Sequence, residues 1–368
     1  MFSKGKVNVR EIKPKKMLRL PILFVFFGML FILPVRASAE VPIKVDLNYA
    51  EQKDLELITG VGPVIAERIV QERPFESVDD LIRVKGIGAK TLEKIRAEDV
   101  AFAIKDSETK SYKEWFQNDE LAKDVYFASY GLAGQGLSMS EENINQKITY
   151  ESIKKIDFMS FELDVFDGNM ENFYLLGNLN RICFEFTYEE GLSKDRDLSP
   201  FKNLRNIYCL EFWGAYSERN NLMSYSKQLL KYFPKVQSIE FDRCHLSSID
   251  CYGNKILSPE GEDLLDQFLS NLYRFKELSY ININYSDFNS LEFLSKIETL
   301  KQFKGFGVFL PSDSFGYSLS VERYLPLQKL PNLNYVEIIC PGAVEREDVY
   351  NLEKEISSLL PGVTTNVY

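Results

Sequence analysis

The sequence predicts a chain in two parts. A small all-α unit of paired helical hairpins comes first, followed by an α/β solenoid whose parallel sheet lines a concave side. Three observations predict this. A glycine-centred phrase occurs twice between residues 55 and 95. After residue 175 an apolar pattern of the form Leu-x-x-Leu-x-x-Ile-x-Phe recurs in phase. The stretch 104–150 between them has no clear period. The 368 residues suffice for two domains and a leader, and 45% hydrophobic with 27% charged residues is an ordinary globular composition.

Residues 1–39 read as an export signal. Lys4, Lys6, Arg10, Lys13, Lys15, Lys16, Arg19 and Arg36 stand against Glu11 alone. They flank the apolar run 20–33, and Ala37-Ser38-Ala39 then offers small residues for a signal peptidase. The run is shorter than the roughly 20 residues of a comfortable span, which favours a cleaved leader over an uncleaved anchor. Either way the basic flank stays inside and the body lies outside the cytoplasm, touching a membrane only through an uncleaved leader. The formal net charge of −10 therefore understates how acidic the body is. Such a body repels nucleic acid at long range, so any contact must be local. Cys183, Cys209, Cys244, Cys251 and Cys340 show no C-x-x-C spacing and read as buried apolar residues. The short separation of Cys244 and Cys251 leaves room for one disulfide, not for a disulfide scaffold.

In the first unit, residues 40–103, Asn48-Tyr-Ala-Glu51 reads as a helix cap with a carboxylate three residues on, opening a helix to about Ile58. Gly60-Val61-Gly62 makes a tight turn and Pro63 opens the second helix. Ile65, Ile69 and Val70 give that helix its apolar face, and Arg73-Pro74 ends it. Ser77-Val-Asp-Asp80 caps a third helix that stops at Lys85-Gly86, and Thr91 to about Arg96 lies in a fourth. The second phrase follows the first at a constant offset of 26, with Gly60 on Gly86, Glu67 on Glu93 and Ile69 on Ile95. A Gly-hydrophobe-Gly turn that opens a helix leaves backbone N–H groups free to hold a phosphate.

Taken together, Val45-Asp-Leu-Asn48, Pro74-Phe75-Glu-Ser-Val78 and Lys85-Gly-Ile-Gly88-Ala-Lys-Thr-Leu-Glu-Lys-Ile95 resemble the tandem helix-hairpin-helix DNA-binding domain of the ComEA family, the bacterial competence DNA receptors. The resemblance implies sequence-independent, salt-sensitive binding of the DNA backbone at Gly60, Val61, Gly62, Gly86, Ile87, Gly88 and Ala89. Lys90 would add a cation and Thr91 a hydroxyl at the same helix end. Two features depart from the family. The unit holds more carboxylates than cations, and a long second unit follows it. The alternative is an extracytoplasmic adaptor that binds only protein, with hairpins that are structural.

In the second unit, residues 151–368, strand cores fall at Ile182, Leu210, Ile239, Ile281, Phe306 and Val336, with an earlier copy at Met159-x-Phe161. The copies resemble a degenerate, aromatic-rich leucine-rich-repeat array, in which Cys244 takes the position usually held by Asn. Each copy gives one strand, and stacking copies builds a continuous core. Residues 223–232 and 262–271 have helical spacing and are expected on the convex side, 344–360 as a last helix and 363–367 as an end strand. Residues 113–127 read as an amphipathic helix that caps the first repeat. The alternate strand residues Glu211, Trp213, Glu240, Asp242, Tyr280, Asn282, Asn284, Phe309, Tyr335 and Glu337 face the concave side. Acids mixed with aromatics there suit a protein or peptide and suit phosphates badly. No enzyme, cofactor or metal is expected. The single histidine, His245, adjoins Cys244, and neighbours on a strand point to opposite faces.

Overall fold

The computed structural model describes residues 43–133, 141–162, 170, 172–185, 198–214, 228–242, 244, 268–284, 291–298, 300, 302–309, 320–340 and 344–368. The leader, His245 and Cys251 lie outside them. No helix among the described residues is long and apolar enough to cross a membrane.

The first unit begins with β1 (Val45–Asp46), then α1 (Gln52–Leu55), α2 (Pro63–Gln71), a 3₁₀ helix (Val78–Arg83), α3 (Ala89–Glu98) and β2 (Ala101–Phe102). β1 and β2 pair in parallel and tie its two ends together. Leu47, Leu55, Ile58, Ile69, Leu81 and Ile95 belong to its closed apolar cluster. Pro63 occupies the first turn of α2, and the Ser77/Asp80 capping box is formed, but on a 3₁₀ helix. Three local expectations are corrected. Asn48 does not cap a helix, because its side-chain amide accepts from the Phe75 N–H at 2.7 Å and donates to the Phe75 carbonyl at 2.9 Å. The first helix consequently starts at Gln52 behind Glu51. Val70 is exposed, and Ala66, three residues before Ile69, takes the inner face in its place.

The connecting stretch holds β3 (Thr109–Ser111), α4 (Tyr112–Phe116), α5 (Asp119–Ser129), α6 (Glu141–Ile144), β4 (Lys147–Thr149) and α7 (Tyr150–Lys154). β3 and β4 form an antiparallel pair. The helix expected over 113–127 is two helices. Gln117 is left-handed at φ 53°, and the Asn118 side chain then accepts from the Leu121 N–H at 2.8 Å to start α5 afresh. α5 packs on the first strand of the large sheet, so the capping role falls to it.

That sheet has eight parallel strands in chain order: β5 (Phe158–Glu162), β6 (Arg181–Glu185), β7 (Cys209–Trp213), β8 (Ser238–Asp242), β9 (Tyr280–Asn284), β10 (Gly305–Phe309), β11 (Tyr335–Ile339) and β12 (Thr364–Val367). The register puts Met159, Ile182, Leu210, Ile239, Ile281, Phe306 and Val336 in one row. These are the strand cores the sequence phases, and the array is leucine-rich-repeat-like. Short 3₁₀ helices such as Phe173–Leu176 and Ser199–Asn203 cross the convex side. The expected helices over 223–232 and 262–271 fall mostly outside the described residues. α8 (Arg346–Leu359) backs β12, as the last helix was expected to.

Phenylalanines fill the interior. Phe184, Phe212 and Phe241 stack in file at centroid separations of 6.1 and 5.7 Å, with Phe201 and Phe268 set edge-on at 5.5 and 5.8 Å. Cys183, Cys209, Cys244 and Cys340 are buried thiols. The Cys244 thiol lies 3.2 Å from the Phe212 carbonyl and 3.4 Å from that of Asp242, so it serves the ladder that an Asn serves in such repeats.

Candidate nucleic-acid interface

The two glycine turns are related by the same offset in space as in sequence. Gly60 and Gly86 have φ of +81° and +111°, a region open to glycine and strained for other residues. A Cβ on Gly60 would lie 2.9 Å from Cγ2 of Thr91, and one on Gly86 would lie 3.2 Å from the Ile65 side chain. Ile65 and Thr91 are counterparts at the offset of 26. Each turn therefore rests on the first turn of the other hairpin's helix, and the two helix starts come together on one surface.

Within each turn the residues divide the work. Val61 and Ile87 are buried, and their amides already donate to the Ile58 and Val84 carbonyls at 2.9 and 3.0 Å. They anchor the turns and have no N–H left for an anion. The Thr91 amide donates to Gly88 at 2.9 Å, and its methyl packs under Gly60. Among the described helix-start amides, those of Gly62 and Val64 in the first hairpin and of Gly88, Ala89 and Lys90 in the second donate to no backbone carbonyl. All lie at a helix start, where the dipole favours an anion. Gly62 and Gly88 occupy the cap positions at φ −98°. A Cβ on either would meet nothing within 4 Å.

The cations of the unit are unequally engaged by its carboxylates. Arg96 is paired with Asp79 at 2.6 Å, Lys105 with Glu76 at 3.1 Å, and Lys44 with Asp99 at 2.6 Å. Asp54 is held by Arg205 of the repeat domain at 2.6 Å. Among the described residues no carboxylate pairs with Lys85, Lys90 or Lys94. Arg68 reaches across to donate to the Lys85 carbonyl at 2.6 Å. Sequence reasoning missed Arg68, Lys85 and Lys94 as neighbours of the turns. The offset of 26, which sets Arg68 opposite Lys94, was the signal for two of them.

The concave residues fall into three rows. Glu211, Glu240, Asn282 and Glu337 share one with Cys183 and Gly307. Tyr280 and Tyr335 share another with Phe158, Arg181 and Cys209. Trp213 and Asp242 share the third with Asn284 and Phe309. Cys209, Glu211 and Glu240 bring possible ligand atoms within 4.8 Å of one another. Arg181 already places its guanidinium there, bonded to Glu211 and 3.9 Å from Glu240. Burial, then the nearby carboxylates, pushes the Cys209 thiol up to about 12. That combination suits a cation supplied by the chain better than a metal.

A sequence profile described as "Helix-hairpin-helix motif" matches residues 42–98. These residues are a helix-hairpin-helix domain. The chain is 40% identical over 57 residues to ComE operon protein 1 of Bacillus subtilis, across 14% of this chain and 28% of that protein. It is 26% identical over 85 residues to Photosystem II extrinsic protein U of Microcystis aeruginosa, across 23% and 60%. The corresponding protein of Gloeothece citriformis is 24% identical over 85 residues, across 23% and 66%. The chain thus spans less than two thirds of each of these relatives. A solved structure of internalin C2 from Listeria monocytogenes overlaps 71% of this chain and 98% of its own at 18% identity. Its TM-score of 0.31 is too low to bear on the fold.

Proposed function

We propose that this is an exported binding protein, not an enzyme, whose helix-hairpin-helix domain holds DNA by its phosphates and whose repeat domain holds a protein on its concave face. The observation that carries the DNA reading is the pair of helix starts brought onto one surface, each with an open glycine and amides that donate to no backbone carbonyl. Lys85 and Lys90 adjoin the second of them and Lys94 follows one turn along α3, and among the described residues no ion pair engages the three. These contacts touch no base edge, so binding is independent of sequence. The likeness to ComE operon protein 1 supports the same reading. Export is supported by the basic, apolar and small-residue order of 1–39 and by the word "extrinsic" in the names of two relatives.

The second reading, in which the hairpins dock only protein, is favoured by the domain's excess of carboxylates. Fluorescence anisotropy on the chain from residue 41 separates the two, using two duplexes of unrelated sequence. The DNA reading expects equal binding of both at about 20 mM salt, steep weakening at about 200 mM, and loss in a Gly88→Asp, Lys90→Glu variant. No binding at the lower salt would leave the protein-only reading standing.

A further inference from the structure

The concave face carries Glu185, Glu211, Glu240, Asp242 and Glu337 at alternate strand positions, and Arg181 is the cation among the described ones. How that arginine sits shows what the face accepts. Its guanidinium lies 5.0 Å from the Phe158 ring centre, bonds Glu211 and approaches Glu240 at 3.9 Å. An aromatic ring below and carboxylates beside it satisfy a guanidinium's flat face and its edge donors together.

A second set with the same parts stands toward the other end of the sheet. β10 presents two glycines, Gly305 and Gly307, where other strands present side chains. The Tyr280 ring lies across both: a Cβ on Gly305 would strike the ring, and one on Gly307 would strike its hydroxyl. The ring is thus laid against the backbone of the neighbouring strand and half-exposed. Glu337 and Glu240 both act on its hydroxyl, and burial, first, with these carboxylates pushes it up to about 12, so it stays neutral. Tyr335 adjoins β10 on the far side and hydrogen-bonds Glu337. Among the described residues no cation pairs with Glu337.

Resting on the reading of this face as a protein-binding surface, we infer that Tyr280, Glu337 and Glu240 form a receiving site for an arginine side chain of a basic partner peptide. The guanidinium stacks on the Tyr280 ring and donates to Glu337, with Glu240 sharing its charge, as Arg181 does on Phe158. The two glycines are there because only a bare backbone lets the ring lie flat.

The test titrates the chain from residue 41 with labelled peptides of alternating glycine and arginine, glycine and lysine, and glycine and glutamate. Trp213 emission reports occupancy of the face. The arginine peptide should bind tightest. Glu337→Gln and Tyr280→Leu should each weaken it about tenfold, while Tyr280→Phe keeps it. A Glu347→Gln, Glu355→Gln control on α8 removes two charges from an exposed helix, more than any site variant, and should stay within about twofold. Equal loss in that control would overturn the site by showing diffuse attraction to an acidic surface. If Tyr280→Leu unfolds the sheet, Glu337→Gln and Gly307→Ala carry the same test. If the lysine or glutamate peptide shifts Trp213 and the site variants do not matter, the arginine site is wrong but the face still binds peptide. If none of the three peptides shifts Trp213, the reading of the face falls with it.

Discussion

A side chain at residue 62 or 88 would be sterically free, and the backbone there suits any amino acid. Serine, a better cap than glycine, should therefore stabilise the fold when Gly62→Ser and Gly88→Ser are combined, by a few tenths of a kcal/mol per site. Its hydroxyl would accept from the second amide of each helix, that of Val64 or Lys90, which is among the groups proposed to hold phosphate. The expected outcome is a higher denaturation midpoint together with an approximately tenfold or greater loss of DNA affinity; a rise in both would remove the amides from the mechanism. Gly86→Ala should do the opposite to stability, losing about 1–2 kcal/mol because of its positive φ. Asp46 gives a prediction of a different kind. It accepts from the Tyr150 hydroxyl at 2.6 Å and from the Asn48 amide at 2.8 Å. Burial still pushes its carboxyl above the usual range, against those bonds and the nearby Lys154 and Arg73. With its folded pKa raised, its favourable contribution is present below the unfolded value near 4 and is lost as pH rises through the folded one. Asp46→Asn removes the charge, keeps the oxygen that accepts from the Asn48 amide, and turns the other bond round so that the new NH2 donates to the Tyr150 hydroxyl. It should raise stability by about 1 kcal/mol at pH 7, with the gain fading below about pH 4 in a melting series against pH.

At the level of elements, the phenylalanine file predicts where the repeat domain is most sensitive. Phe212 lies between Phe184 and Phe241 with Phe268 edge-on, and all four are buried. Phe212→Ala should cost about 3–5 kcal/mol in denaturant unfolding. Its cluster is separate from that of the helix-hairpin-helix domain, so DNA affinity should not change. This file was legible in the sequence because the pattern placing Phe184, Phe212 and Phe241 two residues after Ile182, Leu210 and Ile239 is local and repeats in phase. The glycine turns were legible for the same reason. What could not be read depends on distant partners. Asn48 looks like a cap until Phe75, 27 residues on, takes both ends of its amide. The break at Gln117 is a left-handed residue that no glycine announces. Val61 and Ile87 share the phosphate-binding phrase, and only burial shows that they hold the turns in place. The flat Tyr280 ring needed the register, which sets it beside Gly305 across a gap of 25 residues.

Across the whole chain from residue 41, the helix-hairpin-helix domain meets the connecting stretch and the repeats through one ring pair, Phe102 edge-on to Tyr174 at 4.8 Å, and several polar contacts. Arg205 pairs with Asp54 at 2.6 Å, Asn203 accepts from the Lys44 amide at 2.9 Å, and Tyr150 donates to Asp46. Among the described residues no hydrogen bond or ion pair joins the turns with Gly62 and Gly88 to the repeats. Arg205 is only partly exposed and so is Asp54. Removing one partner leaves a desolvated charge unpaired, which costs more than a surface pair is worth. Arg205→Ala should therefore loosen the seam, by about 1–3 kcal/mol of coupling between the two units. The unfolding of the helix-hairpin-helix domain should then separate from that of the repeats, with hydrogen exchange accelerating at β1 and β2 before the large sheet. DNA affinity at low salt should stay within about twofold, since no group proposed to touch phosphate is altered. Were DNA affinity instead to fall with the seam, the repeats would be part of the nucleic-acid surface, and the division of labour between the two domains would have to be redrawn.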